Sequence, residues 1–446
     1  MLIFLLIINS FEFSKMNNKN IDYPFFTVII PQKDRAEYLI HTLRTCIMQD
    51  YPNFEIIVSD DCSEDNSVEV VRELMKKDSR IKLFAHERHL GMRENFEFAL
   101  KQVKDGYVMA LGGDDALVPG CIWRMYEILS STKRELLTWT PAGFTYPDHE
   151  NGKNIFYVKR KKNTGIEFIN SENFLNKISR TFLYQIDECP MLFMKAVVST
   201  SLIEKVKSRT NDNSFYYCAT PDGFSGVVLA GEVEDYAFTS EPLSIGGTTV
   251  KSQGRNYQRT DSKSKEVAKQ FFKDNVQKKM HPNLASQEYS PLVTLMTADY
   301  LLTAQDLPGW PGKFDPISYE GLIRASFELI EGGTFENEVL VRELNILREI
   351  AKQHNLLDLF NKLLITTKRK VFIKDEVFGF VITNSIRFEG TELGIKNIFD
   401  ASLATNFVYN FYNKFSFKTI FSLLKNTRQV LVRSKKYKLE DLPKIQ

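Results

Sequence analysis

At 446 residues the chain is long enough for two or three domains, and 43% hydrophobic with 26% charged residues is the composition of a globular protein, not of a disordered one. A net charge of +2 gives no global field for holding nucleic acid. Five cysteines, an odd number with no CxxC-type pair, argue against a disulfide framework or a zinc site and for a reducing compartment, so a cytoplasmic protein is expected.

The first eight residues are apolar, but a spanning helix takes about 20 such residues, and no basic start or small-residue cleavage site accompanies them. Residues 1–21 are therefore expected to be an overlong start or loosely attached leader, with a membrane-dipping tag as the alternative. From there strand and helix patterns alternate. An apolar β-rich run, 25–30, stops at Pro31. Ala36, Leu39, Leu43 and Cys46 then recur at helical spacing, with Asp34 available as N-cap. Residues 54–58 predict a second strand, closed by Ser59, Asp60 and Asp61. Val68, Val71 and Leu74 mark a second helix, 81–84 a third strand, and Met92, Phe96, Leu100 and Val103 a third helix. Residues 107–111 predict a fourth, buried strand. Strands spaced by helices of this length imply βαβ units and a largely parallel sheet.

Gly112, Gly113, Asp114 and Asp115 follow that fourth strand. Adjacent carboxylates at the end of a buried strand are costly unless a cation meets them, and carboxylate oxygens suit Mg²⁺ or Mn²⁺. In parallel sheets ligands bind beyond the carboxyl ends of the strands. The topology therefore converges three polar clusters on one edge: residues 31–35, Asp60 with Asp61, and Asp114 with Asp115.

Beyond residue 130 the pattern loosens. Residues 135–140 predict a strand, 147–164 a turn-rich loop with a hairpin, and Thr220, Pro221, Asp222 and Gly223 open a small-residue helix reaching Ala230. Short strands are expected at 235–238 and 242–245, and at 251–261 a flexible connector or, equally, a lid over 251–259 with Gly246, Gly247 and Gly254 as hinges. Residues 262–372 read mostly as helices, with Leu340, Leu344, Leu347 and Ala351 as a core stripe. Residues 401–439 hold eight Lys or Arg and no Asp or Glu, interleaved with Phe, which suits an amphipathic helix on an anionic membrane. The division expected is a catalytic domain over 22–260, a helical domain over 261–400 and a basic tail over 401–446.

Three motifs together resemble the family 2 glycosyltransferases: Val28 to Arg35; Gln49 to Asp61 with Ser63 and Asn66; and Gly112 to Asp115 with Pro119. The resemblance covers residues 25–130 well and thins toward 250. It implies an α/β fold of the GT-A type, Rossmann-like, with a mainly α-helical C-terminal region. It also implies an inverting transfer of a sugar from a nucleotide donor, UDP- or dTDP-linked, to a glycan or lipid-linked acceptor in surface polysaccharide synthesis.

By the same resemblance Pro31, Gln32 and Lys33 form the base slot, Asp61 with Asp60 beside it accepts from the base, Asp114 contacts ribose or metal, and Asp115 holds a divalent Mn²⁺ or Mg²⁺ ion. Gly113 stands where many relatives carry another aspartate. Arg35 and Arg93 are candidates for the diphosphate, because guanidinium binds phosphate oxygens bidentately. Asn95 sits where relatives often have an asparagine. Asp222 is the expected general base, with Asp187, Glu188, Glu234 and Asp235 as rivals; burial at a turn-to-helix junction would raise its pKa. His86 and His89 read as surface or core residues. The alternatives are a catalytically silent donor-binding scaffold and a sugar-nucleotide pyrophosphorylase; the latter wants a glycine-rich phosphate loop that residues 31–35 lack.

Overall fold

The computed structural model describes residues 23–148, 154–159, 165–252, 269–275, 279–332, 335, 337–367, 381–382, 385–391 and 394–414. The first third follows the expected alternation. Strands β1 (Phe26–Gln32), β2 (Phe54–Asp60), β3 (Ile81–Ala85) and β4 (Tyr107–Ala110) are joined by helices α1 (Ala36–Ile47), α2 (Ser67–Met75) and α3 (Met92–Lys101). They lie side by side in the order β3-β2-β1-β4, all parallel. Every residue of β1 and β2 is buried, as a sheet covered on both faces requires. Alternation sorts their side chains: Val28, Ile30, Ile56 and Val58 enter one core beneath α1 and α2, while Ile29 and Ile57 enter the other beneath α3.

The chain then leaves the simple pattern. Next come β5 (Ala116–Leu117), α4 (Cys121–Thr132), β6 (Leu136–Trp139), β7 (Ala142–Thr145), β8 (Ile155–Lys159), β9 (Ile166–Asn170), α5 (Ser171–Thr181), β10 (Ala196–Ser199), α6 (Thr200–Lys207), α7 (Pro221–Gly231), β11 (Asp235–Thr239) and β12 (Ser244–Thr248). Four of these strands extend the first sheet in the order β4-β10-β6-β11-β9, where β10 and β9 run antiparallel to their neighbours. The sheet is thus parallel from β3 to β4 and mixed beyond. A second sheet, ordered β13-β14-β8-β7-β12-β5, draws β13 (Val381–Ile382) and β14 (Ser385–Glu389) back from the far end of the sequence.

Helices α8 (Val293–Gln305), α9 (Tyr319–Gly332), α10 (Asn337–Gln353) and α11 (Leu357–Thr366) form the expected helical region around a third core, in which Leu347 and Ala351 are fully buried. A last helix, α12 (Ile398–Lys414), runs through residue 400, so the domain break expected between 400 and 401 falls inside an element. Its Ala401, Ala404, Val408 and Tyr409 lie in the core between α1 and the second sheet, Ser402 Oγ donates to Leu117 O at 2.9 Å, and Asn406 Nδ2 to Pro119 O at 3.3 Å. This part of the expected amphipathic tail is therefore packed against protein, beside the turn that carries Asp114. The basic stretch 415–439, the leader 1–21 and most of the connector 251–261 lie outside the described residues. Among the described residues no helix is long and apolar enough to cross a membrane.

Candidate active site

The carboxyl ends of β1, β2 and β4 meet at one edge, and hydrogen bonds between their loops fix the geometry there. Asp61 N–H donates to Gln32 O at 2.9 Å, carrying the β1–β2 pairing one step past the strands. Asp34 N–H donates to Ser63 Oγ at 2.8 Å, Arg35 N–H to Ser67 Oγ at 3.1 Å, and Lys33 Nζ to Cys62 O at 2.8 Å. Asp34 does not cap α1. Its φ is +52°, and its Oδ1 accepts Glu64 N–H at 2.7 Å, while Asp65 Oδ2 from the neighbouring loop accepts Ala36 N–H at 3.0 Å. The cap of α1 is thus supplied across the sheet edge, a substitution that no local pattern reveals.

Pro31 ends the buried strand, opposite Ser59. Gln32 places its amide N–H₂ against Asp60 Oδ2, which leaves its Oε1 buried with no donor. An orphaned buried acceptor is costly, and an incoming N–H or O–H would relieve it. Asp60 accepts Ser63 N–H at 2.9 Å, and burial pushes its carboxyl up. Asp61 is 3% exposed and accepts Leu90 N–H at 2.6 Å and Gly91 N–H at 3.1 Å. His89 Nδ1 lies 2.8 Å from Asp61 Oδ2, off the line of a hydrogen bond. An ionised carboxylate offers about four acceptor sites, so Asp61 keeps room for one further donor.

The Gly112–Asp115 turn divides its two acids. Asp115 folds back into the protein: Oδ2 accepts Gly112 N–H at 2.7 Å and Oδ1 accepts Gly247 N–H at 2.9 Å. Burial and the adjacent Asp114 charge push its carboxyl up. Asp114 instead meets Arg35 Nη1 at 2.7 Å and Thr249 Oγ1 at 3.1 Å, while Arg35 Nη2 reaches Lys251 O at 3.1 Å. Each Asp115 oxygen thus accepts a backbone N–H, while Asp114 meets side chains of the neighbouring loops. Close approach explains the glycines. A Cβ on Gly247 would lie 1.8 Å from Asp114 O, and one on Gly113 would lie 3.1 Å from Arg35 Cδ. Arg35 thus occupies the space beside Gly113 where an additional side chain would stand.

Asp222 lies in the first turn of α7, on a helix whose other residues are buried. Its Oδ1 is enclosed with no hydrogen-bond partner, and burial raises its pKa. Tyr184 and Tyr300 close on Gly223 beside it, and Thr220 Oγ1 bonds the hydroxyls of Tyr300 and Tyr289, the latter at 3.1 Å. The segment 192–194 joins this helix to the acidic turn. Leu192 N–H donates to Ser225 Oγ at 2.9 Å, Met194 N–H to Ala110 O at 2.6 Å, and the Phe193 ring stands 3.4 Å from where a Gly112 Cβ would be.

Three rivals of Asp222 are engaged elsewhere: Asp235 with Arg134, Asp187 with Lys159 at 2.6 Å, and Glu188 with Lys177 at 3.4 Å. Two predicted residues point away from the edge. Asn95 is 3% exposed and exchanges hydrogen bonds with Ser59, accepting from Oγ at 2.6 Å and donating to the carbonyl at 3.1 Å, so it fastens α3 to β2. Arg93 reaches Tyr216 O at 3.4 Å and Glu94 at 3.7 Å rather than the acidic turn. Lys251, at the start of the expected lid or connector, reaches this edge, and Thr249, Phe193 and His89 join it without having been expected. Their partners lie far away in sequence, and only the adjacent glycines Gly246 and Gly247 hinted at a close approach there. A cavity of about 400 Å³ beside Tyr107, Glu135 and Ser199 lies at the opposite end of β4 and has no part in this edge.

Residues 27–197 match the profile of Glycosyl transferase family 2. A glycosyltransferase of Haemophilus influenzae is 26% identical over 31% of this chain and 54% of its own length; Glycosyltransferase GlyG of Streptococcus pneumoniae is 25% identical over 34% and 48%. The chain thus spans about half the length of these curated relatives. The GalNAc(5)-diNAcBac-PP-undecaprenol beta-1,3-glucosyltransferase of Campylobacter jejuni is 36% identical over 22% of this chain and 32% of its own. Among solved structures, TarS 1-349 of S. aureus in complex with UDP-GlcNAc aligns with a TM-score of 0.42 and 16% identity, covering 79% of this chain and 95% of that one. The strand order, the motifs and the profile agree over residues 27–197, a mixed α/β region similar to the family 2 glycosyltransferases.

Proposed function

We propose that the protein transfers a sugar, with inversion, from a UDP- or dTDP-linked donor to a hydroxyl of a glycan or lipid-linked acceptor in surface-polysaccharide synthesis. The observation that carries this reading is the single edge on which the orphaned Gln32 Oε1, the Asp61 carboxylate and the Arg35–Asp114 pair converge. Gln32, with Pro31 and Lys33, offers the base a slot and an acceptor. Asp61 offers the base N–H its remaining acceptor site. Arg35 sets a guanidinium toward the diphosphate, where charge develops as the donor bond breaks.

No group of three or more metal-ligating side chains occurs among the described residues. A divalent ion nevertheless fits in the manner usual for Mg²⁺, through one protein carboxylate and the donor's own phosphate oxygens, and Asp114 is the carboxylate placed for it. Such an ion would supply positive charge to the leaving diphosphate. Asp222 takes the acceptor's proton. The acceptor oxygen bonds the anomeric carbon as that carbon's bond to the diphosphate breaks, and a single displacement inverts the centre. Membrane attachment through 415–446, at the cytoplasmic face where lipid-linked acceptors lie, is part of the same proposal and rests on the sequence alone.

Incubation with a panel of UDP- and dTDP-sugars and Mn²⁺ tests it by nucleotide release. Release from at least one donor is expected, and Asp222→Asn should slow it by about 10²- to 10⁴-fold, the range of general-base catalysis. Because burial raises the pKa of Asp222, the wild-type rate should fall as pH drops through that raised value and level off above it. Undiminished turnover by Asp222→Asn would remove the base assignment.

A further inference from the structure

We propose that His89 is a positioning residue for nucleotide-base recognition, holding the Asp61 carboxylate and fastening it to Asp274 in the helical segment 269–274. The proposal rests on the reading of Asp61 as the carboxylate that accepts the base N–H. His89 sits in the loop between β3 and α3, and its two ring nitrogens face two different carboxylates. Nδ1 is 2.8 Å from Asp61 Oδ2, and Nε2 is 3.1 Å from Asp274 Oδ2. The ring therefore stands between the two carboxylates, with its Nε2 in hydrogen-bond contact with Asp274. The far end of the bridge is itself held, since Gln270 Nε2 donates to Asp274 Oδ1 at 2.7 Å. A Cβ on Gly91 would touch Asp274 Cβ at 3.7 Å, so segment 269–274 lies directly on the turn whose N–H groups bind Asp61.

These contacts leave Asp61 little freedom. Leu90 and Gly91 N–H and the His89 ring take three approaches to a group with about four, so they set the direction of the one that remains. The partner histidine behaves differently. His86 Nε2 meets Ser59 Oγ at 3.0 Å and its ring packs edge-on against Phe98, 4.5 Å between centroids, so it belongs to the packing of α3. His89 is one-third exposed and makes its polar contacts with the two carboxylates. Its position therefore links base recognition to the docking of the segment that follows residues 253–268.

Isothermal titration of the full chain with UDP and with inorganic pyrophosphate, both with Mn²⁺, tests the proposal. His89→Ala should weaken UDP about 10-fold and leave pyrophosphate within about twofold, because only the base end is disturbed. His89→Asn keeps a polar side chain whose amide can turn an N–H toward Asp61, and should recover UDP affinity to within about threefold. Asp274→Asn should weaken UDP in wild type but add little in the His89→Ala background, as members of one network do. Wild-type UDP affinity in His89→Ala, equal losses for UDP and pyrophosphate, or His89→Asn no better than His89→Ala would each overturn it. Asp61→Asn separates the two readings. If it leaves UDP affinity intact, the base assignment of Asp61 itself fails; if it weakens UDP while His89→Ala does not, only the role of His89 fails.

Discussion

Asp114 and Asp115 carry the same chemistry one residue apart, and their roles are set by what lies across from each. Successive side chains leave the backbone on different sides, so one acid of an adjacent pair can face the ligand edge while the other faces inward. Which one does so depends on Gly247, whose N–H meets Asp115 from 132 residues away. Asp115→Asn would turn an amide N–H₂ toward one of the two backbone N–H groups, donor against donor, at a cost of about 1–3 kcal/mol. We expect it to lower the thermal midpoint while Mn²⁺ still improves UDP affinity. Asp114→Asn should do the reverse, abolishing the Mn²⁺-dependent gain in UDP affinity measured by titration. The opposite pattern would return the metal to Asp115. The presence of an acidic turn was legible because two glycines and two aspartates after a buried strand have few other uses. The division of labour was not, since it is written in a tertiary contact. Asp222 was legible for the opposite reason. A lone acid between Pro221 and Gly223, opening an apolar helix, is a local anomaly that needs no partner to be noticed.

At the level of elements, hydrophobic period found what local sequence controls. The strands β1 to β4 and helices α1 to α3 announce themselves because each buries a whole face. Strands β5, β7, β9, β10, β13 and β14 are not expected from the sequence. At two residues, β5 and β13 have no period to read, and β9 shows a mostly half-exposed pattern at a sheet edge. Helix α8 shows how an element can be set by one buried charge. Its Asp299 is 6% exposed and accepts His281 N–H at 2.7 Å, which fixes the chain entering the helical region. Burial raises this carboxyl from 3.8 to about 6. A carboxyl with a raised folded-state pKa binds its proton more tightly in the native state. It therefore costs stability above about pH 6 and ceases to do so below its unfolded value near 3.8. Asp299→Asn keeps an oxygen for His281 N–H and removes the charge. It should stabilise the protein at pH 8 by on the order of 3 kcal/mol, with the gain vanishing near pH 4 in denaturant titrations at both values. Equal stabilities at pH 8 would show that Asp299 is better solvated than its burial implies.

Across the whole molecule the proposed catalytic edge has a donor side and an acceptor side that answer to different parts of the chain. The donor side is built by the loops after β1, β2 and β4, and α12 supports it from behind through Ser402 and Asn406. The acceptor side rests on α7, and the helical region braces that helix. Tyr300 of α8 bonds Thr220 at its start, and Trp310 lies against its end, with Nε1 donating to Val228 O at 3.1 Å. The fit at Trp310 is close: a Cβ on Gly231 would lie 2.0 Å from Trp310 Cζ2 and one on Gly312 2.2 Å from Cη2. Removing the ring would leave a cavity and an unpaired carbonyl under the helix that presents Asp222. Trp310→Ala should cost about 3–5 kcal/mol of stability. Its second effect distinguishes a brace from a general scaffold. At a temperature where the variant remains folded, UDP affinity should stay within about twofold of wild type while the rate of nucleotide release falls about 10-fold, because the base moves and the donor pocket does not. Titration with UDP beside a steady-state assay reads both quantities. A parallel loss of the two would mean that the helical region steadies the whole edge and has no separate hold on Asp222.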